Sequence, residues 1–73
     1  MDSNHFNQTC RYLRPEQMVR VRLVTGQELR GFPLRHNKAN NYDGSLELET
    51  HNGIILILSS SLESIDLAID QLA

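Results

Sequence analysis

The sequence predicts a mainly β domain, a small barrel of five strands with a short α-helix in front. Three observations predict it. From Val19 to Gly31 apolar and charged residues alternate, turn over Gly26, and resume. From Ser45 to Leu58 a second pair of strand patterns flanks His51-Asn52-Gly53. A last alternation follows from Ile65, and five short, strongly bent strands limit their free edges by closing on themselves.

The helix is expected over residues 3–14. Ser3 or Asn4 can cap it, and Phe6, Cys10 and Leu13 recur at i, i+4, i+7 as one narrow apolar stripe. Arg14 precedes Pro15, which disfavours further helix. A helix this short needs a surface to lie on.

Residues 18–24 and 28–35 are the first hairpin. Val19, Val21 and Leu23 point one way, and Arg20 and Arg22 the other. An odd loop, Thr25-Gly26-Gln27, lets Leu23 pair with Leu29, which puts Arg20, Arg22 and Arg30 together on the outer face. Pro33 lacks an N–H and belongs at a bend, bulge or free edge. Residues 36–44, rich in Asn, Asp and Gly, form a polar loop.

The third and fourth strands are expected over residues 45–50 and 54–59, joined by the three-residue loop His51-Asn52-Gly53. That loop pairs Leu48 with Leu56 and Leu46 with Leu58, and turns Ile55 and Ile57 outward beside Glu49 and Glu47. Residues 54–58 are apolar on both faces, so one face is expected to be covered by the helix or, preferably, by another subunit. Past Ser59-Ser60-Ser61 the pattern admits two readings. Leu62, Ile65, Ile69 and Leu72 fit a helix, whereas Ile65, Leu67 and Ile69 alternate with polar or small residues as a strand does. A short turn at 60–63 and a strand over 64–69 is the preferred reading.

Seventy-three residues make one domain, 1–73, with a core too small to be very stable alone. Cys10 is the only cysteine, which excludes an intrachain disulfide and suits a reducing, cytoplasmic setting. The first residues carry no cationic stretch leading into an apolar one, so no secretory signal is expected. The longest apolar run, 54–58, is far short of a membrane span, and no membrane partner is expected. The net charge of −2 conceals a division. All seven Arg and Lys residues lie from Arg11 to Lys38; from Ala39 onward there are six acids and no Arg or Lys. A net-acidic chain is no bulk polyanion binder, but a local basic surface remains available.

No catalytic residue, metal site or cofactor is expected. His5, His36 and His51 lack ligand spacing, and no nucleophile–base or glycine-rich phosphate motif is present. Glu47 and Glu49 read as a solvated face.

The pattern of apolar positions and glycines over roughly residues 4–68 resembles the Sm-like superfamily, and within it bacterial Hfq. The segment from Val19 to Gly31 is similar to that family's first hairpin, with glycines at the turn and at the strand bend. The segment Ser61-Leu62-Glu63-Ser64-Ile65-Asp66-Leu67 resembles its short turn into the last strand, and Phe6 and Gln8 lie where its helix lies. The resemblance implies an SH3-like (Sm-like) barrel and a cyclic homo-oligomer. In that family the fourth strand of one subunit pairs with the fifth of the next, which implies interface roles for Ile54, Ile55, Ile57 and Leu67. It also implies single-stranded RNA as partner, in RNA regulation or processing. Asn40, Asn41 and Tyr42 are similar in type to the family's base-binding loop, and an aromatic with amide groups suits an unpaired base. Lys38, His36, Gln8, Arg20, Arg22 and Arg30 complete the expected RNA-binding set. One departure stands out. Ser59-Ser60 occupies the place of the family's basic pair, and hydroxyls do not attract phosphates as cations do. The alternative reading is therefore a protein-interaction module on the same fold, an inhibitor or adaptor like Rof, which inhibits transcription termination.

Overall fold

The computed structural model describes residues 1–40 and 42–68. Its elements are α1 (Ser3–Arg11), β1 (Val19–Leu23), β2 (Glu28–Asn37), β3 (Ser45–Thr50), β4 (Gly53–Leu58), a 3-10 turn (Ser59–Ser61) and β5 (Leu62–Leu67). The strands form one antiparallel open sheet in the order β4-β3-β2-β1-β5. The mainly β class with one N-terminal helix is as the sequence predicts, and the arrangement is compatible with a small barrel-like fold. β4 and β5 are the two ends of the sheet.

The helix starts at Ser3 as expected, but its cap lies one residue before Ser3 and two before Asn4, the two expected caps. Asp2 takes that role, its Oδ1 accepting from the His5 N–H at 2.8 Å. The helix also stops three residues earlier than Arg14. Tyr12 and Leu13 donate to Thr9 and Cys10 at 3.2 Å, i→i−3 bonds that tighten and end the last turn. Phe6 and Cys10 are fully buried and join Val19, Val21, Leu46, Leu48, Ile57 and Leu62 in one core. That burial holds a nine-residue helix that is marginal alone; fully burying the Phe side chain contributes about 1.5–3 kcal/mol.

In the first hairpin Val21, not Leu23, is the partner of Leu29. The loop is Val24-Thr25-Gly26: Leu23 N–H donates to Gln27 O at 2.8 Å, and Gly26 adopts φ +94°. The loop is still odd, so face parity survives and Arg20, Arg22 and Arg30 remain on the outer side. β2 runs through His36 to Asn37, so the following loop begins at Lys38. Pro33 marks a bulge, where the β2–β3 register shifts between Pro33 and Arg35.

The second hairpin differs by one residue, which reverses every side chain of β4. Its loop is His51-Asn52, with Thr50 opposite Gly53. Thr50 Oγ1 accepts from Asn52 N–H at 3.1 Å and donates to Gly53 O at 2.9 Å, while Gly53 takes φ +116°. These bonds close the turn without a third loop residue. Leu48 consequently faces Ile55, and Leu46 faces Ile57. Ile57 is 5% exposed and Ile55 packs half-buried against the core, so neither points outward as the three-residue loop required. The outward side chains are Ile54, Leu56 and Leu58. β5 begins at Leu62 and favours the strand reading through Leu67. Residues 69–73 lie outside the described residues.

Candidate nucleic-acid interface

Two surfaces carry the basic residues, and they differ in what surrounds them. The first is the outer face of β1 and β2. Arg20 stands opposite Arg30 on β2 and Asp66 on β5. Arg22 stands opposite Glu28, and its guanidinium holds the Glu28 carboxylate at 2.6 Å. The hydrogen bond from Arg22 keeps the Glu28 carboxyl below the usual carboxylate range, with Arg20 and Arg30 adding to the pull. The same bond raises the Arg22 guanidinium further above its ordinary value. The face is thus an alternating array of cations and carboxylates rather than an open basic stripe. Arg30 also lines an outer concavity of about 730 Å³ together with Phe32, Glu49 and His51.

The second surface lies between α1 and the end of β2. Asn7, Arg11, His36 and Lys38 line a concavity of about 260 Å³ with no carboxylate among them. Arg11 is in the last turn of α1, His36 is in β2, and Lys38 follows that strand. Two hydrogen bonds hold the loop against the helix: Asn7 Nδ2 donates to Ala39 O at 2.9 Å, and Ala39 N–H donates to Asn7 Oδ1 at 2.8 Å. Ala39 is buried at 4% exposure, so Lys38 projects from an anchored segment. Sequence reasoning gave Asn7 no role. Its only signal was its place beside Phe6, the buried residue of the stripe.

In the same loop Tyr42 is 85% exposed, and its carbonyl accepts from Asn40 N–H at 3.1 Å. Asn41 lies outside the described residues. Gln8 is exposed on α1. The structure therefore brings His36 and Lys38 together with Arg11, and leaves Arg20, Arg22 and Arg30 on the other surface.

Ser59 and Ser60 have structural partners. Ser59 is 3% exposed; its Oγ accepts from Gly44 N–H at 3.1 Å and donates to Asp43 Oδ1 at 3.3 Å. Ser60 Oγ donates to Asp43 Oδ2 at 2.8 Å. A carboxylate thus stands over this turn and ties it to the loop that carries Tyr42.

Of the residues expected at a subunit interface, Ile54 and Leu67 are exposed, at 62% and 46%, and Ile55 and Ile57 belong to the core side. Beside the β5 edge, Tyr12, Leu13, Ile65 and Leu67 line a groove of about 360 Å³ against α1. Cys10 is a buried free thiol whose pKa burial pushes up to about 11, so it stays protonated at neutral pH. No group of metal-binding side chains occurs among the described residues, and no helix among them is long and apolar enough to cross a membrane. No protein-family model, curated protein or solved structure matches the chain.

Proposed function

We propose that this chain is an Sm-like protein that assembles edge to edge into a ring of identical subunits and binds single-stranded RNA. The observation that carries the reading is the sheet order β4-β3-β2-β1-β5, which leaves two different free edges. A head-to-tail contact between unlike edges closes into a ring when the rotation allows. Pairing β4 of one copy with β5 of the next also removes the aggregation hazard of an apolar edge. For RNA, the support is the carboxylate-free concavity of Arg11, His36 and Lys38, together with the exposed ring of Tyr42 in the loop that follows Lys38. Cations there meet phosphates, and an exposed aromatic offers a stacking platform.

The test is light scattering followed by anisotropy titration of A-rich and U-rich single-stranded RNA at low and physiological salt. A mass several times the 8.4 kDa of the chain, with binding that survives physiological salt, is expected. A monomeric mass overturns the ring, and binding lost with salt overturns the RNA reading. Ile57 is no test of assembly, because a charge at a buried position unfolds the core.

A second reading is favoured by Asp43. An acid bound to Ser59 and Ser60 repels phosphate at the place where the family carries cations. On that reading the fold serves protein recognition, as a Rof-like inhibitor or adaptor. Absence of RNA binding by a correctly folded protein is its expected signature.

A further inference from the structure

Edge pairing engages backbone groups and leaves an apolar surface of β4 without a role. Ile54, Leu56 and Leu58 are 62%, 59% and 45% exposed. Alternate residues of a strand share a face, about 6.7 Å apart, so the three form a row of about 13 Å. On β3, Glu49 is the register partner of Ile54, and Glu47 that of Leu56. Directly opposed residues share a face, so an acidic row runs beside the apolar one at about the strand spacing of 4.8 Å. Arg35 stands opposite Glu47 on β2 without forming an ion pair; the ion pair among the described residues is Arg22–Glu28.

We infer that the outer face of β3 and β4 docks a protein partner through a basic amphipathic helix. Its apolar residues at i, i+4 and i+8 span about 12 Å, a match to the row Ile54, Leu56, Leu58. Its Lys or Arg residues lie on one flank, against Glu47 and Glu49. Charge selects this occupant over a second copy of the chain. β3 and β4 carry Glu47 and Glu49 and no Arg or Lys, so a second copy laid β3–β4 on β3–β4 meets these carboxylates with its own. The inference goes beyond the ring and its RNA, and needs only the fold.

The experiment uses a fluorescein-labelled helical peptide of Leu and Lys with Leu at that spacing. A control peptide carries Glu in place of Lys. Binding is read by anisotropy, and its position by amide NMR shifts on the full chain. The Lys peptide is expected to bind and the Glu peptide not. Shifts are expected to concentrate in β3 and β4. Leu56→Ser and the double substitution Glu47→Gln with Glu49→Gln are each expected to weaken binding about tenfold or more. All three side chains lie on the outer face, and the double substitution carries the test if Leu56→Ser fails to fold. No binding of the Lys peptide overturns the inference. So do equal binding by both variants, or shifts centred elsewhere. A wild-type mass that drops with Leu56→Ser also overturns it, because a second copy is then the occupant.

Discussion

The Asn7 side chain and the Ala39 backbone hydrogen-bond in both directions, the amide donating to Ala39 O at 2.9 Å and accepting from Ala39 N–H at 2.8 Å. The two residues are 32 positions apart, so this pair sets how the loop after β2 lies on α1. Ala39 is buried, and Asn7→Ala leaves its N–H and C=O without partners. The expected cost is about 1–3 kcal/mol. In a domain of this size that lowers Tm by about 4–8 °C for each kcal/mol. Asn7→Asp keeps the acceptor and is expected to cost less. Equal Tm for Asn7→Ala and wild type in thermal unfolding refutes the anchor.

Ser59 and Ser60 give a second contrast. Ser59 is buried and serves both Gly44 N–H and Asp43, whereas Ser60 is exposed and serves Asp43 alone. Ser59→Ala is expected to destabilise by about 1–3 kcal/mol, because the Gly44 N–H loses its acceptor. Ser60→Ala is expected to stay within about 0.5 kcal/mol. Urea unfolding of the two variants checks the order, and reversed costs contradict it.

Gly31 and Gly26 are needed for different reasons. A Cβ on Gly31 collides with the backbone carbonyl of Glu49, which cannot give way without parting β2 from β3. Gly31→Ala is expected to cost about 1–3 kcal/mol or more. Gly26 has open space around it but sits at φ +94°. There Gly26→Asn is expected to be tolerated better than Gly26→Ala, because Asn enters the left-handed region more readily. At position 31 both substitutions are expected to fail alike. Denaturation midpoints of the four variants decide it.

Cys10 makes stability depend on alkaline pH. Burial raises the folded pKa from 9.0 to about 11, so the fold favours the neutral thiol. The contribution is fully present below pH about 9 and is lost as pH rises toward about 11. Cys10→Ala lacks this component. The stability gap between wild type and variant is therefore expected to narrow between pH about 8 and about 10.5. A gap that stays constant in urea titrations at the two pH values contradicts the assignment.

For RNA, the two basic surfaces separate. Arg11→Ala with Lys38→Ala is expected to reduce the salt slope of single-stranded RNA binding by about 0.7 per cation. Arg22→Ala is expected to change it less, because that guanidinium is engaged by Glu28 at 2.6 Å. Tyr42→Ala is expected to weaken binding by about 1–3 kcal/mol if its exposed ring stacks on a base. Equal slopes in the two cation variants return Arg11 and Lys38 to the solvated surface.

The alternation of Val19, Arg20, Val21 and Arg22, with a glycine turn, was enough to set the faces of β1 and β2. Hairpin parity survives a register change of two residues, so a misplaced partner for Leu29 did no harm to the outer arginines. No such margin exists at β4. Its segment 54–58 is apolar at every position. Hydrophobicity therefore gave no preference between the two faces, and the turn alone chose. The side-chain bonds of Thr50 close a two-residue loop, a local geometry that residue type does not specify.

The sequence by itself determined the mainly β class, the N-terminal helix, the succession of strand segments along the chain and the segregation of charge, because these follow from period, glycine and composition within short windows. Only the tertiary structure decided that Ile57 lies inside and Leu56 outside. It also decided that Arg22 belongs to Glu28 while Arg11 stands with His36 and Lys38, and that two serines hold Asp43. These are contacts between residues distant in the chain or matched one to one across a ladder. Their existence depends on angles and registers set by the whole core, to which no single window of sequence has access.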